Sequence, residues 1–169
     1  MGLPPKGVIY ESIHADRELY KKRCPYTLYG TAFDLYHMEE YVNFVINCLK
    51  DFPSDVGIAF RGVSGMLVGI RVADRTGREY TVIRKPAESN HSPFRVEGWR
   101  PERYVIIDDF IASGDTIKAI VEAMEGIESQ CVGIILYNGH ELTGWNPPDY
   151  VKGLKMEGGL QVPVYSIRG

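Results

Sequence analysis

Only three cysteines occur in 169 residues, Cys24, Cys48 and Cys131. They are odd in number, far apart and without metal-ligand spacing, which argues against a disulfide framework or a zinc cluster and for reduced thiols in a cytoplasmic protein. Long apolar runs are missing too. No stretch approaches the roughly 18 residues of a membrane span, and the opening Met-Gly-Leu-Pro-Pro-Lys-Gly has no apolar leader core, so neither insertion nor secretion is expected. Lys6 stands where a myristoylation site needs Ser or Thr. No charge of one sign dominates: the net charge is −3, with Lys and Arg scattered, which leaves no polyanion-binding face and argues against a nucleic-acid partner. Repeats and low-complexity tracts are absent. What remains, 44% apolar and 24% charged residues, suits one globular α/β domain over 1–169 with small-molecule partners.

Periodicity orders the elements. Leu35, Met38, Tyr41, Val42, Val45, Ile46 and Leu49 keep three-and-four spacing, predicting an amphipathic helix that ends before Pro53. Val56 to Phe60 is a short apolar strand; a turn over Arg61 to Gly65 leads into a helix through Met66, Leu67, Ile70, Val72 and Ala73, closed by Gly77. Tyr80 to Ile83 is the next strand, residues 84 to 102 are a long polar stretch, and Val132 to Tyr137 is a further strand. Strands alternating with helices imply a mostly parallel sheet with helices on both faces. The core is expected at about 35–137. Residues 1–34 and 138–169, rich in Pro and Gly breakers, do not continue the alternation; Val162 to Ile167 within the second reads as an edge segment.

The most informative segment is 104–117, Tyr-Val-Ile-Ile-Asp-Asp-Phe-Ile-Ala-Ser-Gly-Asp-Thr-Ile. Tyr104 to Ile107 read as a strand buried on both faces, delivering Asp108 and Asp109 to the carboxyl edge of a parallel sheet, where ligands bind. The small-residue turn from Ala112 through Ser113, Gly114, Asp115 and Thr116 then opens a helix over 116–125. Its successive N–H groups and two hydroxyls favour phosphate. Carboxylates suit sugar hydroxyls; amides suit phosphate. Asp115, an acid beside that phosphate, reads as facing outward and favoured by the helix dipole.

Four apolar residues, two acids, two apolar residues, a small residue, Ser or Thr, Gly, any residue and Thr closely resemble the signature of type I phosphoribosyltransferases. The resemblance implies an α/β fold of that type with a small variable hood, for which 1–34 and 138–169 are the candidates. It assigns Asp108 and Asp109 to the ribose hydroxyls, and to magnesium through water, and assigns Ala112, Ser113, Gly114, Asp115 and Thr116 to the 5-phosphate. Phosphoribosyl diphosphate (PRPP) and a nucleobase are the implied substrates, with Mg2+ as cofactor. A homodimer is common in the family.

Two further segments carry weaker likeness. Gly57-Ile58-Ala59-Phe60-Arg61-Gly62 looks like the adenine branch, which implies that Arg61 and Gly62 cradle diphosphate in a short turn. Arg84 and Lys85 resemble the family's Arg-Lys pair beside a mobile catalytic loop, so Lys85 would put a cation on diphosphate and residues 86–99 would be a flap with His91 and Glu97 as its polar candidates. Arg95-Val96-Glu97-Gly98 loosely resembles the loop where adenine enzymes place a Glu, which implies a catalytic role for Glu97. Ala87, Glu88, Ser89 and Asn90 lack the basic residues of orotate enzymes. Ala112 stands where 6-oxopurine enzymes carry Asp, which leaves a weak preference for a purine such as adenine, with pyrimidine and nicotinic substrates open. Tyr137 and Trp145 are aromatic candidates for stacking on a base, with core packing the alternative for both. The implied reaction transfers the phosphoribosyl group to a base in nucleotide salvage or synthesis. The competing reading is a non-catalytic PRPP-binding regulator or sensor of the same fold. A hydrolase or phosphotransfer domain with an Asp nucleophile does not explain the phosphate-cradling turn after the acids.

Overall fold

The computed structural model describes residues 35–85, 95–138 and 147–167. Two compact units divide the chain, Met1–Glu40 and Tyr41–Gly169, and the second carries the sheet. The expected hood over 1–34, His91, Trp145 and most of the expected flap lie outside the described residues.

Helix α1 spans Leu35–Leu49, as its periodicity predicts. Tyr41, Val42, Val45 and Leu49 are buried along one stripe. Strand β1 (Gly57–Arg61) follows, then α2 (Gly62–Thr76), which ends at Gly77 in the left-handed conformation. β2 is Tyr80–Ile83, β3 Val96–Gly98 and β4 Arg103–Asp108. α3 (Asp115–Glu125) leads to β5 (Gln130–Leu136), a short α4 (Asp149–Gly153), a 3-10 turn at Glu157–Gly159 and β6 (Val164–Ser166).

The six strands lie in the order β3-β2-β1-β4-β5-β6, all pairings parallel except β2 with β3. Ile58, Ala59 and Phe60 in β1 and Tyr104 to Ile107 in β4 are fully buried, as both faces of a central strand must be when helices cover each side. Alternation divides them. Ala59, Ile106 and Ile134 pack with Ile117, Ile120 and Met124 of α3, while Phe60 lies against Gly65 and Gly69 of α2 on the other face.

Three expectations are corrected. The polar stretch 84–102 holds a strand, because Ile83 pairs with Val96 and Thr81 with Gly98, and the Thr81 hydroxyl donates to the Trp99 carbonyl at 2.6 Å. The end of the expected flap, Val96–Gly98, is therefore a sheet edge. At the C-terminus, β6 pairs parallel with β5 through Ile134 to Leu136, so the core sheet reaches beyond the expected limit at about 137. β6 falls within 162–167, which reads as an edge from the sequence, whereas the three residues of β3 are too few to show periodicity and only pairing reveals them. Finally, no turn separates β1 from its helix: the strand runs to Arg61 and the helix begins at Gly62.

Candidate functional site

The parallel strands end together at one edge, and β4 carries the two acids there. Asp108 is its last residue and Asp109 the next; each keeps only 5% of its surface exposed. The β5 extension holds the backbone in place, Tyr137 N–H donating to the Asp108 carbonyl at 3.1 Å and Asn138 N–H to that of Asp109 at 2.9 Å. Both protein donors to the Asp108 carboxylate land on Oδ1: the Asp109 amide at 3.0 Å and the Ser64 hydroxyl at 3.0 Å. Asp109 Oδ1 accepts the Phe110 amide at 2.9 Å, whereas its Oδ2 is buried with no hydrogen-bond partner. A buried carboxylate oxygen left unsatisfied is costly and calls for a ligand. Burial, and then the adjacent Asp109 charge, push the Asp108 carboxyl well above the usual carboxylate range.

Opposite the acids stands the N-terminus of α2. It comes so close because Gly65 has no side chain: a Cβ there would lie 2.7 Å from the Ile107 carbonyl oxygen and 2.9 Å from Phe60 Cβ. Gly62 starts the helix with φ of 72°, a conformation open to glycine, and the position of its absent Cβ is 3.8 Å from Lys85 Cε and 4.0 Å from Nζ. Lys85 thus sits over the first turn of α2, sharing one corner with Arg61 and Gly62 more than 20 residues upstream. Arg61 Nε is buried there without a partner. The next cation, Arg84, is held by Glu97 on β3 at 2.7 Å.

The turn after the acids enters α3 through Gly114, whose φ is 88°. Ala112 and Ser113 are exposed and Gly114 is buried; the Ser113 hydroxyl donates to the Asp115 carboxylate at 2.7 Å and accepts the Asp115 amide at 3.3 Å. Asp115 is exposed, yet it faces back into the turn. Thr116 is half-buried one residue on.

Tyr137 is no stacking surface for a base. It is fully buried, its ring 4.9 Å from that of Tyr41, and its hydroxyl donates to the Ser64 carbonyl at 2.8 Å. Phe110, beside Asp109, is 40% exposed and is the aromatic nearest the acids in the chain. Ser64 and Phe110 went unassigned in the sequence. The signal for Phe110 was its place directly after the acidic pair; for Ser64 there was none, since its partner is 44 residues away. Among the described residues no three or more metal-ligating side chains cluster, and no helix is long and apolar enough to cross a membrane.

The model of the phosphoribosyl transferase domain family matches residues 67–159. An adenine phosphoribosyltransferase of Mycoplasma capricolum is 26% identical over 147 residues, covering 78% of this chain and 77% of that protein. One from Alkaliphilus oremlandii is 30% identical over 125 residues, 64% of this chain and 71% of its own. The fold is similar to that of Mycobacterium tuberculosis orotate phosphoribosyltransferase in complex with PRPP, with TM-score 0.59, 15% identity, and 90% and 85% of the two chains covered.

Proposed function

We propose that this chain, which belongs to the phosphoribosyl transferase domain family, moves the 5-phosphoribosyl group of PRPP onto a nucleobase and releases diphosphate. Membership makes it a transferase; the donor, the metal and the acceptor are the finer reading. The observation that carries this reading is the adjacent buried acid pair at the sheet edge, with Asp109 Oδ2 lacking a partner.

On this reading Asp108 and Asp109 accept the ribose hydroxyls, and the turn from Ala112 to Thr116 at the start of α3 receives the 5-phosphate. The first turn of α2, with Gly62, Arg61 and Lys85, receives diphosphate. Glu97 orients the Arg84-Lys85 segment by holding Arg84. As the C1–oxygen bond stretches, negative charge gathers on the leaving diphosphate. Lys85 and the α2 amides stabilise it there, an electrostatic effect that needs no side-chain base. Two carboxylates, with no third ligand clustered on them among the described residues, fit a magnesium ion held chiefly by substrate oxygens and water. When bound, the ion neutralises charge on diphosphate.

The names of the two relatives support adenine as the first acceptor to test, and Ala112 agrees with it. A single phosphoribosyltransferase-like domain over 1–169, acting in the cytoplasm as a homodimer, completes the reading. The test is a panel of bases with labelled PRPP and magnesium. Diphosphate release that depends on one base supports it; tight PRPP binding without release under any base would instead assign the chain as a sensor.

The turn geometry adds a prediction. Asp115→Asn removes a negative charge beside the 5-phosphate and loosens the acceptor that holds the Ser113 hydroxyl. The KM for PRPP should fall about two- to fivefold, with a stability loss of about 0.3–1 kcal/mol from the lost helix-dipole interaction. Steady-state kinetics and thermal melts measure both; an unchanged or higher KM would show that Asp115 does not oppose phosphate.

A further inference from the structure

Ser64 is placed unlike an ordinary serine in the first turn of a helix. Such residues bond to nearby backbone or to water, but the Ser64 hydroxyl reaches across to Asp108 Oδ1 at 3.0 Å, from α2 to the end of β4. Its own carbonyl is held by the Tyr137 hydroxyl at 2.8 Å, and Tyr137 is locked in the core against Tyr41. Gly65 then fixes the distance, since α2 rests directly on the Ile107 carbonyl one residue before Asp108. A single residue is thus gripped from β5, set by contact with β4, and bonded to the first acid.

We infer that Ser64 is a positioning residue that aims the Asp108 carboxylate at the ribose and ties the diphosphate side of the site to the sugar side. The inference rests on the reading of Asp108 as a ribose ligand. The Asp109 amide and the Ser64 hydroxyl approach the same oxygen from different elements, so together they fix the position of Oδ1 and with it the rotation of the carboxyl group about its Cβ–Cγ bond. The amide alone, one residue away, restrains it less. Because the Ser64 backbone belongs to the first turn of α2, a shift of that turn on engaging diphosphate also shifts the group holding Asp108.

The test uses binding of ribose 5-phosphate, which needs no acceptor base and no turnover, followed by calorimetry on the full chain. Ser64→Ala should weaken it about tenfold, the scale of a lost hydrogen bond to a charged group. Ser64→Thr, which keeps the hydroxyl, should restore binding to within about threefold of the parent on the same scale. In an Asp108→Ala background the Ser64→Ala change should have almost no further effect, because residues acting through one another are not additive. With PRPP as substrate, Ser64→Ala should raise the KM for PRPP and leave the KM for the base unchanged. Thermal melts identify any variant that fails to fold, and Ser64→Thr then carries the comparison. A parent chain that does not bind ribose 5-phosphate overturns the reading of the site. Binding by the parent with equal binding by Ser64→Ala, or an undiminished Ser64 effect without Asp108, overturns this inference alone.

Discussion

Asp109→Asn is expected to lower kcat/KM for PRPP by about ten- to a hundredfold while leaving the folded chain as stable as the parent or more so. The two effects come from the same geometry. Asp109 Oδ2 is buried without a partner beside a second buried carboxyl group, so the ligand-free fold carries an unsatisfied acceptor. An Asn side chain keeps the oxygen that accepts the Phe110 amide and replaces the orphan oxygen with a donor that the neighbouring Asp108 can accept. The ribose hydroxyl loses its charged acceptor in exchange. Kinetics with PRPP and a thermal melt test this directly. Full activity would remove Asp109 from the ribose, and a large loss of stability would show that the acid pair supports the fold.

The same pair predicts how stability varies with pH. Burial and the adjacent Asp109 raise the Asp108 pKa on folding, so the folded chain retains a proton that the unfolded chain has released. Stability is then greatest below the ordinary carboxylate range and declines as pH rises from there through the raised value, beyond which the curve flattens. Replacing Asp108 by Asn should remove that decline. Melting temperatures across the acid to neutral range, parent against Asp108→Asn, measure it; parallel curves would contradict the prediction.

Arg78→Ala is expected to have the largest effect on stability, about 2–4 kcal/mol, or a fall in melting temperature of roughly 4–16 °C. One guanidinium nitrogen, Nη1, donates to the carbonyls of Pro53 at 2.6 Å and Val56 at 2.7 Å, and Nη2 to those of Leu49 and Phe52 at 3.0 Å each. Arg78 thereby closes the turn between α1 and β1, gathering the carbonyl of the last helical residue and three beyond it, of which those of Leu49 and Pro53 also accept the Phe52 and Val56 amides at 3.2 Å. A planar fork spans them; the compact ammonium of Lys does not, so Arg78→Lys should recover only part of the loss. The turn lies before β1, at the end of the strand away from the acids. Activity per folded molecule should therefore be unchanged. A melt within a degree or two of the parent would show that water satisfies these carbonyls equally well.

Arg78 also marks where reading along the chain stops being informative. In the sequence it is a polar residue after Gly77 with no pattern around it, and all its acceptors lie more than 20 residues upstream. The opposite case is β4 and the turn after it. An apolar run, two acids and a small-residue helix start are local signals, and the strand, the acids at its end and α3 stand where the sequence placed them, with the helix one residue earlier than predicted. Helix α1 matched to the residue, because its spacing repeats over four turns.

Local chemistry by itself therefore determined which segments became buried strands and amphipathic helices, and it set two carboxylates beside a turn rich in backbone donors. Only the tertiary structure decided which elements became neighbours: β6 joining β5, β3 turning back on β2, Lys85 arriving over Gly62, and Ser64 reaching Asp108. Those outcomes depend on hydrogen bonds and close contacts between residues far apart in the chain, and such a pairing leaves no periodic trace in either partner. A strand of three residues or a single hydroxyl acquires its role only when packing brings its counterpart within reach.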